Sequence, residues 1–145
     1  MKYKTVTYHS TDVVSEKMYQ QLLDITTDVY DKASAEELAR ELDEKFPYGF
    51  VILMNEAETE VMAFGCCAKS ALDFDVWEFA WAMVREKYRG MGFGKVLNDE
   101  RIKIIEKLGG KKILCVSKKL WHLERSGLRK VCTFADNDVL MVCEI

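Results

Sequence analysis

Residues Arg85 to Lys95 read Arg-Glu-Lys-Tyr-Arg-Gly-Met-Gly-Phe-Gly-Lys. Three glycines alternate there, Gly90, Gly92 and Gly94, between an apolar alternation ending at Val84 and a helical stripe beginning at Phe93. Alternate glycines let backbone N–H groups converge on one point with no side chain in the way. A helix opening at this point adds the partial positive charge of its N-terminus, and Arg89 and Lys95 add full charges. The stretch predicts a strand-to-helix loop that holds an anion, and a diphosphate fits best. Two common phosphate patterns do not fit. A Walker A loop needs four residues between its first glycine and a Gly-Lys pair, then Ser or Thr. Here three residues separate Gly90 from Gly94, and Val96 follows Lys95. The dinucleotide spacing Gly-x-Gly-x-x-Gly fails as well, because the glycines run Gly-x-Gly-x-Gly.

Upstream of the loop, Val76 to Val84 alternates as a strand. Trp77, Phe79, Trp81 and Met83 fall on one face, which reads as core. Glu78, Ala80, Ala82 and Val84 fall on the other, which is small apart from one carboxylate and leaves room for something to lie against it. Downstream, Phe93, Val96, Leu97, Ile104 and Leu108 line the inward face of a helix that Gly109-Gly110 ends. Ile113 to Val116 reads as a buried strand, and Leu120 to Ser126 as a short helix stopped by Gly127. Val131 to Phe134 and Val139 to Cys143 form a closing hairpin. On the amino-terminal side, Lys4 to His9 reads as a strand, and Val14, Met18, Leu22, Ile25 and Val29 mark a first helix. Ser34 and Glu37 form a capping box for a second helix with Leu38, Leu42 and Phe46 inward, ended by Pro47. Phe50 to Met54 and Val61 to Ala68 are strands around the polar turn Asn55 to Glu60. Alternation of element types predicts one α/β (α+β) domain over residues 1–145, with a single mixed sheet of about six to seven strands and about four helices.

Composition agrees with a globular chain: 145 residues, 49% hydrophobic and 31% charged. A chain of this size buries a core without disulfides or metals. The net charge of -3 argues against a nucleic-acid partner. No segment approaches the ~18 consecutive apolar residues of a membrane span, and Met1 to Ser10 lacks the apolar core of a signal peptide. A cytoplasmic location is expected. The five cysteines, Cys66, Cys67, Cys115, Cys132 and Cys143, show no Cys-x-x-Cys or Cys/His spacing. They read as reduced thiols buried in strands, and no metal is expected.

Arg89-Gly90-Met91-Gly92-Phe93-Gly94 resembles the signature Arg/Gln-x-x-Gly-x-Gly/Ala of the GNAT superfamily of N-acetyltransferases. Tyr88-Arg89-Gly90 and the placement of Val84 resemble it too, and the order of elements is similar to that fold over essentially the whole chain. The resemblance implies acetyl-CoA as cosubstrate. Its pyrophosphate would be cradled by the segment Arg89, Gly90, Met91, Gly92, Phe93, Gly94 and Lys95. Main-chain groups of Met83 and Val84 would bind the pantetheine arm, and N–H groups near them would receive the oxyanion. Direct attack of an amine on the thioester is implied. An amine of pKa ≈ 10.4 costs roughly 4.6 kcal/mol to deprotonate at pH 7, so a general base is wanted.

Glu78 is the candidate base. It is the only ionisable residue on the small face of its strand, and it stands eleven residues before Arg89. By that count it resembles the strand glutamate used as base in the histone-acetylating branch of the family. Asp73 and Asp75 lie just upstream and could act through water. The family's general-acid tyrosine has no counterpart, because its position falls on Leu123; His122 beside it reads as a surface or packing residue. Lys118-Lys119 reads either as a contact to the CoA phosphates or as a surface pair. The acidic run Glu36 to Glu44 is a solvated helix face or a field that draws in a cationic amine. Tyr30, Phe46 and Tyr48 line the acceptor entrance or the core. Three function classes compete: an N-acetyltransferase acting on a small-molecule or protein amine, a CoA-binding sensor without turnover, and a pure interaction domain. A monomer and a homodimer are equally compatible with the sequence.

Overall fold

The computed structural model describes residues 1–9, 12–45, 49–71, 75–118 and 120–145. Phe46, Pro47, Tyr48, Asp73, Lys119 and the side chain of His122, all invoked above, lie outside the described residues. The strands are β1 (Tyr3–His9), β2 (Gly49–Asn55), β3 (Val61–Lys69), β4 (Val76–Val84), β5 (Lys112–Ser117), β6 (Arg129–Thr133) and β7 (Val139–Glu144). The helices are α1 (Glu16–Val29), α2 (Lys32–Asp43), α3 (Phe93–Lys107) and α4 (Trp121–Arg125). The strands make one mixed seven-stranded sheet in the order β1-β2-β3-β4-β5-β7-β6. Every neighbouring pair is antiparallel except β4 and β5, which run parallel.

Helices cover both faces. On one, Met18, Leu22 and Ile25 of α1 and Leu38 of α2 pack on Phe50, Ile52, Phe64 and Met83. On the other, Phe93, Leu97 and Ile105 of α3 and Leu123 of α4 pack on Val51, Leu53, Trp77 and Phe79. Central strands β2 and β3 are therefore apolar on both sides, which explains their unbroken hydrophobic runs. Gly110 is set by packing: a Cβ there would come within 2.3 Å of Ile105 Cγ2 and 2.6 Å of Trp77 Cδ1.

Three local readings are corrected. The cap of α2 is Asp31, whose carboxylate accepts from the Ser34 N–H at 2.6 Å. Lys32 and Ala33 are helical, so Ser34 lies within the first turn, and Glu37 meets Arg40 at 4.0 Å. Leu108 is 39% exposed as the C-cap of α3 rather than inward. The third concerns β4. Its register with β3 passes from Gly65↔Ala82 to Cys66↔Ala80, so Trp81 is an extra residue, a β-bulge. Its φ of +38° is unusual for an aromatic residue. One added residue reverses the alternation. Trp77 and Phe79 face α3, while Met83 faces α1, so the expected single bulky face does not exist.

Candidate functional site

Strands β4 and β5 pair only at Val76↔Lys112, Trp77↔Ile113 and Glu78↔Leu114. Beyond that point they diverge, and the β5 side of Phe79 to Val84 has no strand partner among the described residues. The opening points toward the glycine loop. Half-buried Glu78 is the last paired residue and stands at its apex. No ion pair to Glu78 forms among the described residues.

The loop begins with a 3-10 turn at Glu86–Tyr88 and reaches α3 through Gly90 and Gly92, at φ +78° and +84°. Only glycine takes such angles without strain. A Cβ added at Gly90, Gly92 or Gly94 would meet nothing within 4 Å. The space before the loop is therefore open, at the N-terminus of a fifteen-residue helix. A helix N-terminus with open space before it is a place where an anion can be held. Arg89 is exposed, with Nε donating to Val84 O at 3.2 Å. Lys95 pairs with Asp99 one turn on. Met83 buries its side chain, its sulfur 3.3 Å from Thr26 Oγ1, and its backbone is paired with Phe64 of β3.

The base of the loop is anchored to the β2–β3 hairpin. Asn55 Oδ1 accepts from the N–H groups of Thr59 and Glu60 at 2.8 and 3.0 Å, which fixes the turn. Glu60 then receives Tyr88 Oη at 2.7 Å and Lys87 Nζ at 2.7 Å, with Arg85 Nε at 3.7 Å. Burial alone would raise the Glu60 carboxyl, but the hydrogen bonds from Lys87 and Tyr88 and the charges of Lys87 and Arg85 outweigh it and hold it below the usual range.

On the α1/α2 side, Trp81 Nε1 donates to Glu41 at 2.5 Å. Tyr30 packs edge-on against Trp81 and donates its hydroxyl to Ala82 O at 3.3 Å. Of the two places open to Tyr30, the core is excluded: it is 54% exposed and reaches the opening's edge at Ala82 O. The acidic run divides: Glu36 and Glu37 meet Lys32 and Arg40, while Glu41 turns to the bulge. Other candidates are not brought here. Lys118 pairs with Asp138 at 3.1 Å. Asp75 is exposed, and its carbonyl accepts from the Lys111 and Lys112 N–H groups. Leu123 is 1% exposed in the core and carries no proton. Burial pushes the Cys66 thiol up and Cys67 up to about 11. Cys115 and Cys143 are half-buried and Cys132 is exposed, so the expectation of buried thiols holds for two of five.

Sequence reasoning missed Arg101. It lies on the inward stripe of α3 with Leu97 and Ile105 and is 1% exposed beneath the bulge. The signal was present, a charged residue at a core spacing, but a lone arginine on a helix reads as solvated.

The profile of the acetyltransferase (GNAT) family matches residues 15–122. No curated protein sequence matches the chain. Among solved structures, a GNAT family N-acetyltransferase from Escherichia coli, in complex with CoA, superimposes with a TM-score of 0.78 at 14% identity, covering 99% of this chain and 83% of that one. The PaiA N-acetyltransferase from Thermoplasma acidophilum, in complex with coenzyme A, gives 0.73 at 16% identity and covers 100% of both chains. An acyl-CoA N-acyltransferase from Pseudomonas aeruginosa gives 0.73 at 14%, covering 97% and 99%. At such identities the likeness is one of fold.

Proposed function

The chain belongs to the acetyltransferase (GNAT) family, and from that premise we propose that it moves an acetyl group from acetyl-CoA to a primary amine, on a small molecule or a protein, by direct attack on the thioester. One observation carries the reading: an open glycine cradle stands at the mouth of a β4–β5 opening that has a carboxylate at its apex.

In this reading the N–H groups of Gly90 to Lys95 bind the pyrophosphate, with Arg89 adding charge. The backbone of Val84, turned away from β3, lines the path of the pantetheine arm, while that of Met83 is paired with Phe64. Glu78 takes a proton from the bound ammonium and so frees the neutral amine that attacks. Ala82 lies four positions further along the strand, about 13 Å if fully extended. The proton therefore travels through water between the opening and the carboxylate. Glu41 and Glu78 favour a cationic acceptor. With Leu123 in the place of an acid, the CoA thiolate leaves without a side-chain proton donor and takes its proton from water.

The test is thiol release from acetyl-CoA over a panel of polyamines, aminoglycosides, amino acids and lysine peptides. Amine-dependent release that Glu78→Gln reduces supports transfer. Acetyl-CoA binding with no release across the panel would replace transfer with the sensor reading, which the burial of Leu123 favours.

A further inference from the structure

Arg101 is a buried cation with no carboxylate beside it among the described residues. Its guanidinium stacks over Phe79, 3.9 Å from the ring centroid. Nη1 donates to Cys66 O at 3.0 Å and to Ala80 O and Trp81 O at 3.4 Å. Nε donates to Leu97 O, and Nη2 to Asn98 Oδ1. Gly65 keeps its path clear: a Cβ there would lie 3.2 Å from Arg101 Cζ and Nε. An apolar side chain would fill the same space without the desolvation that a buried charge costs. What only this side chain does is gather three carbonyls at the bulge.

Those carbonyls control where the opposite ends of their peptide planes point. Ala82 O accepts from Tyr30, and Val84 O accepts from Arg89. The next N–H, that of Arg85, donates to Met62 O of β3 at 2.9 Å. By strand alternation, Ala82 and Val84 turn their backbone groups away from β3. In a planar trans peptide the carbonyl and the following N–H point in opposite directions. Trp81 O is held by Arg101, which also bonds Cys66 O of β3, so the Ala82 N–H points into the opening, where β4 has no strand partner among the described residues. Trp81, at φ +38°, would leave this strained conformation if released.

We propose that Arg101 is a positioning residue for acyl transfer: by clamping the carbonyls of the β4 bulge it fixes the Ala82 N–H in the opening as the donor to the thioester oxygen. The assignment rests on the acyl-transfer reading and names a residue pair, Arg101 and Gly65, outside the glycine loop. The donor is aimed before substrate arrives, which is what makes such a group effective in a transition state.

The experiment compares Arg101→Met, Arg101→Lys and the native protein in three readouts. These are CoA affinity by calorimetry, kcat with the best amine, and the carbonyl resonance of bound [1-13C]acetyl-CoA. Arg101→Met is expected to keep CoA affinity within about threefold and lose kcat by about 100-fold, the size of one lost oxyanion donor. Its carbonyl resonance should return toward the free value, and Arg101→Lys should recover part of both. A folded Arg101→Met with native kcat and native carbonyl shift would overturn the proposal. Should Arg101→Met not fold, Arg101→Lys decides alone: kcat and resonance both unmoved overturn it. Should the native protein bind no acetyl-CoA, the acyl-transfer reading fails separately. The clamp is then read from the amide signals of Trp81 and Ala82, which must move in Arg101→Lys if it exists.

Discussion

Two groups of glycines behave in opposite ways. At Gly110 an added Cβ would collide with Ile105 and Trp77 at 2.3 and 2.6 Å, and at Gly65 it would press on Arg101 at 3.2 Å. At Gly90, Gly92 and Gly94 it would meet nothing within 4 Å. The first group is demanded by the protein's own packing. No described residue crowds the second, at the N-terminus of α3, and in the acyl-transfer reading it is bare for an occupant from outside. The contrast separates stability from binding, and substitutions can be sorted by it.

The largest effect belongs to the open group. Gly92→Glu places a carboxylate where the diphosphate would sit, and acetyl-CoA affinity should fall at least about 100-fold through like-charge repulsion and lost access. Its stability should fall only by the strain of a non-glycine residue at φ +84°, about 1–3 kcal/mol. Calorimetry and thermal unfolding separate the two. Next, Glu78→Gln should lower kcat about 100-fold, at the low end for general base catalysis, and leave CoA affinity unchanged; an unaltered pH–rate profile would clear Glu78 of the role. For the packed group, Gly110→Ala should cost about 1–3 kcal/mol of stability by overpacking, while the folded fraction binds acetyl-CoA as before. A Gly110→Ala protein with native stability would contradict the sorting.

The smallest effect tests the anchor of the loop. The Glu60 carboxyl is lowered from an ordinary 4.5 in the folded protein. A depressed carboxylate contributes stability that is fully present above its unfolded value and is lost as pH falls through the folded one. Acid titration below about pH 4.5 should therefore weaken the native protein more than Glu60→Gln. The difference should be about 0.5 kcal/mol or less, as for a partly exposed ion pair. Equal slopes for the two proteins would show that the anchor is not electrostatic.

The order of elements and the glycine loop were legible because each depends on local signals: period-2 and period-3.6 apolar patterns, and glycine spacing. Glu78 was picked out by a strand face that the bulge breaks, since Val84 packs on the α3 side with Trp77 and Phe79 while Ala80 packs on the α1 side; its station at the apex of the opening follows instead from the three paired positions of β4 and β5. The bulge was not legible. Periodicity assumes an unbroken pleat, and the alternation of Trp77, Phe79, Trp81 and Met83 continues unmarked through Trp81, where the register slips. Arg101 escaped for a related reason. Its burial is made acceptable by carbonyls that the bulge frees, so it is intelligible only once the bulge is known. The Asp31 cap lay one turn before Ser34, and the two residues compete on equal local grounds.

Calorimetric titration of the native protein with acetyl-CoA, with CoA and ATP as comparisons, tests most directly whether the bare loop was kept for a CoA diphosphate. Micromolar binding of both CoA compounds and none of ATP is the predicted result. No binding of either CoA compound would contradict it and leave Gly90, Gly92 and Gly94 as a turn without a ligand.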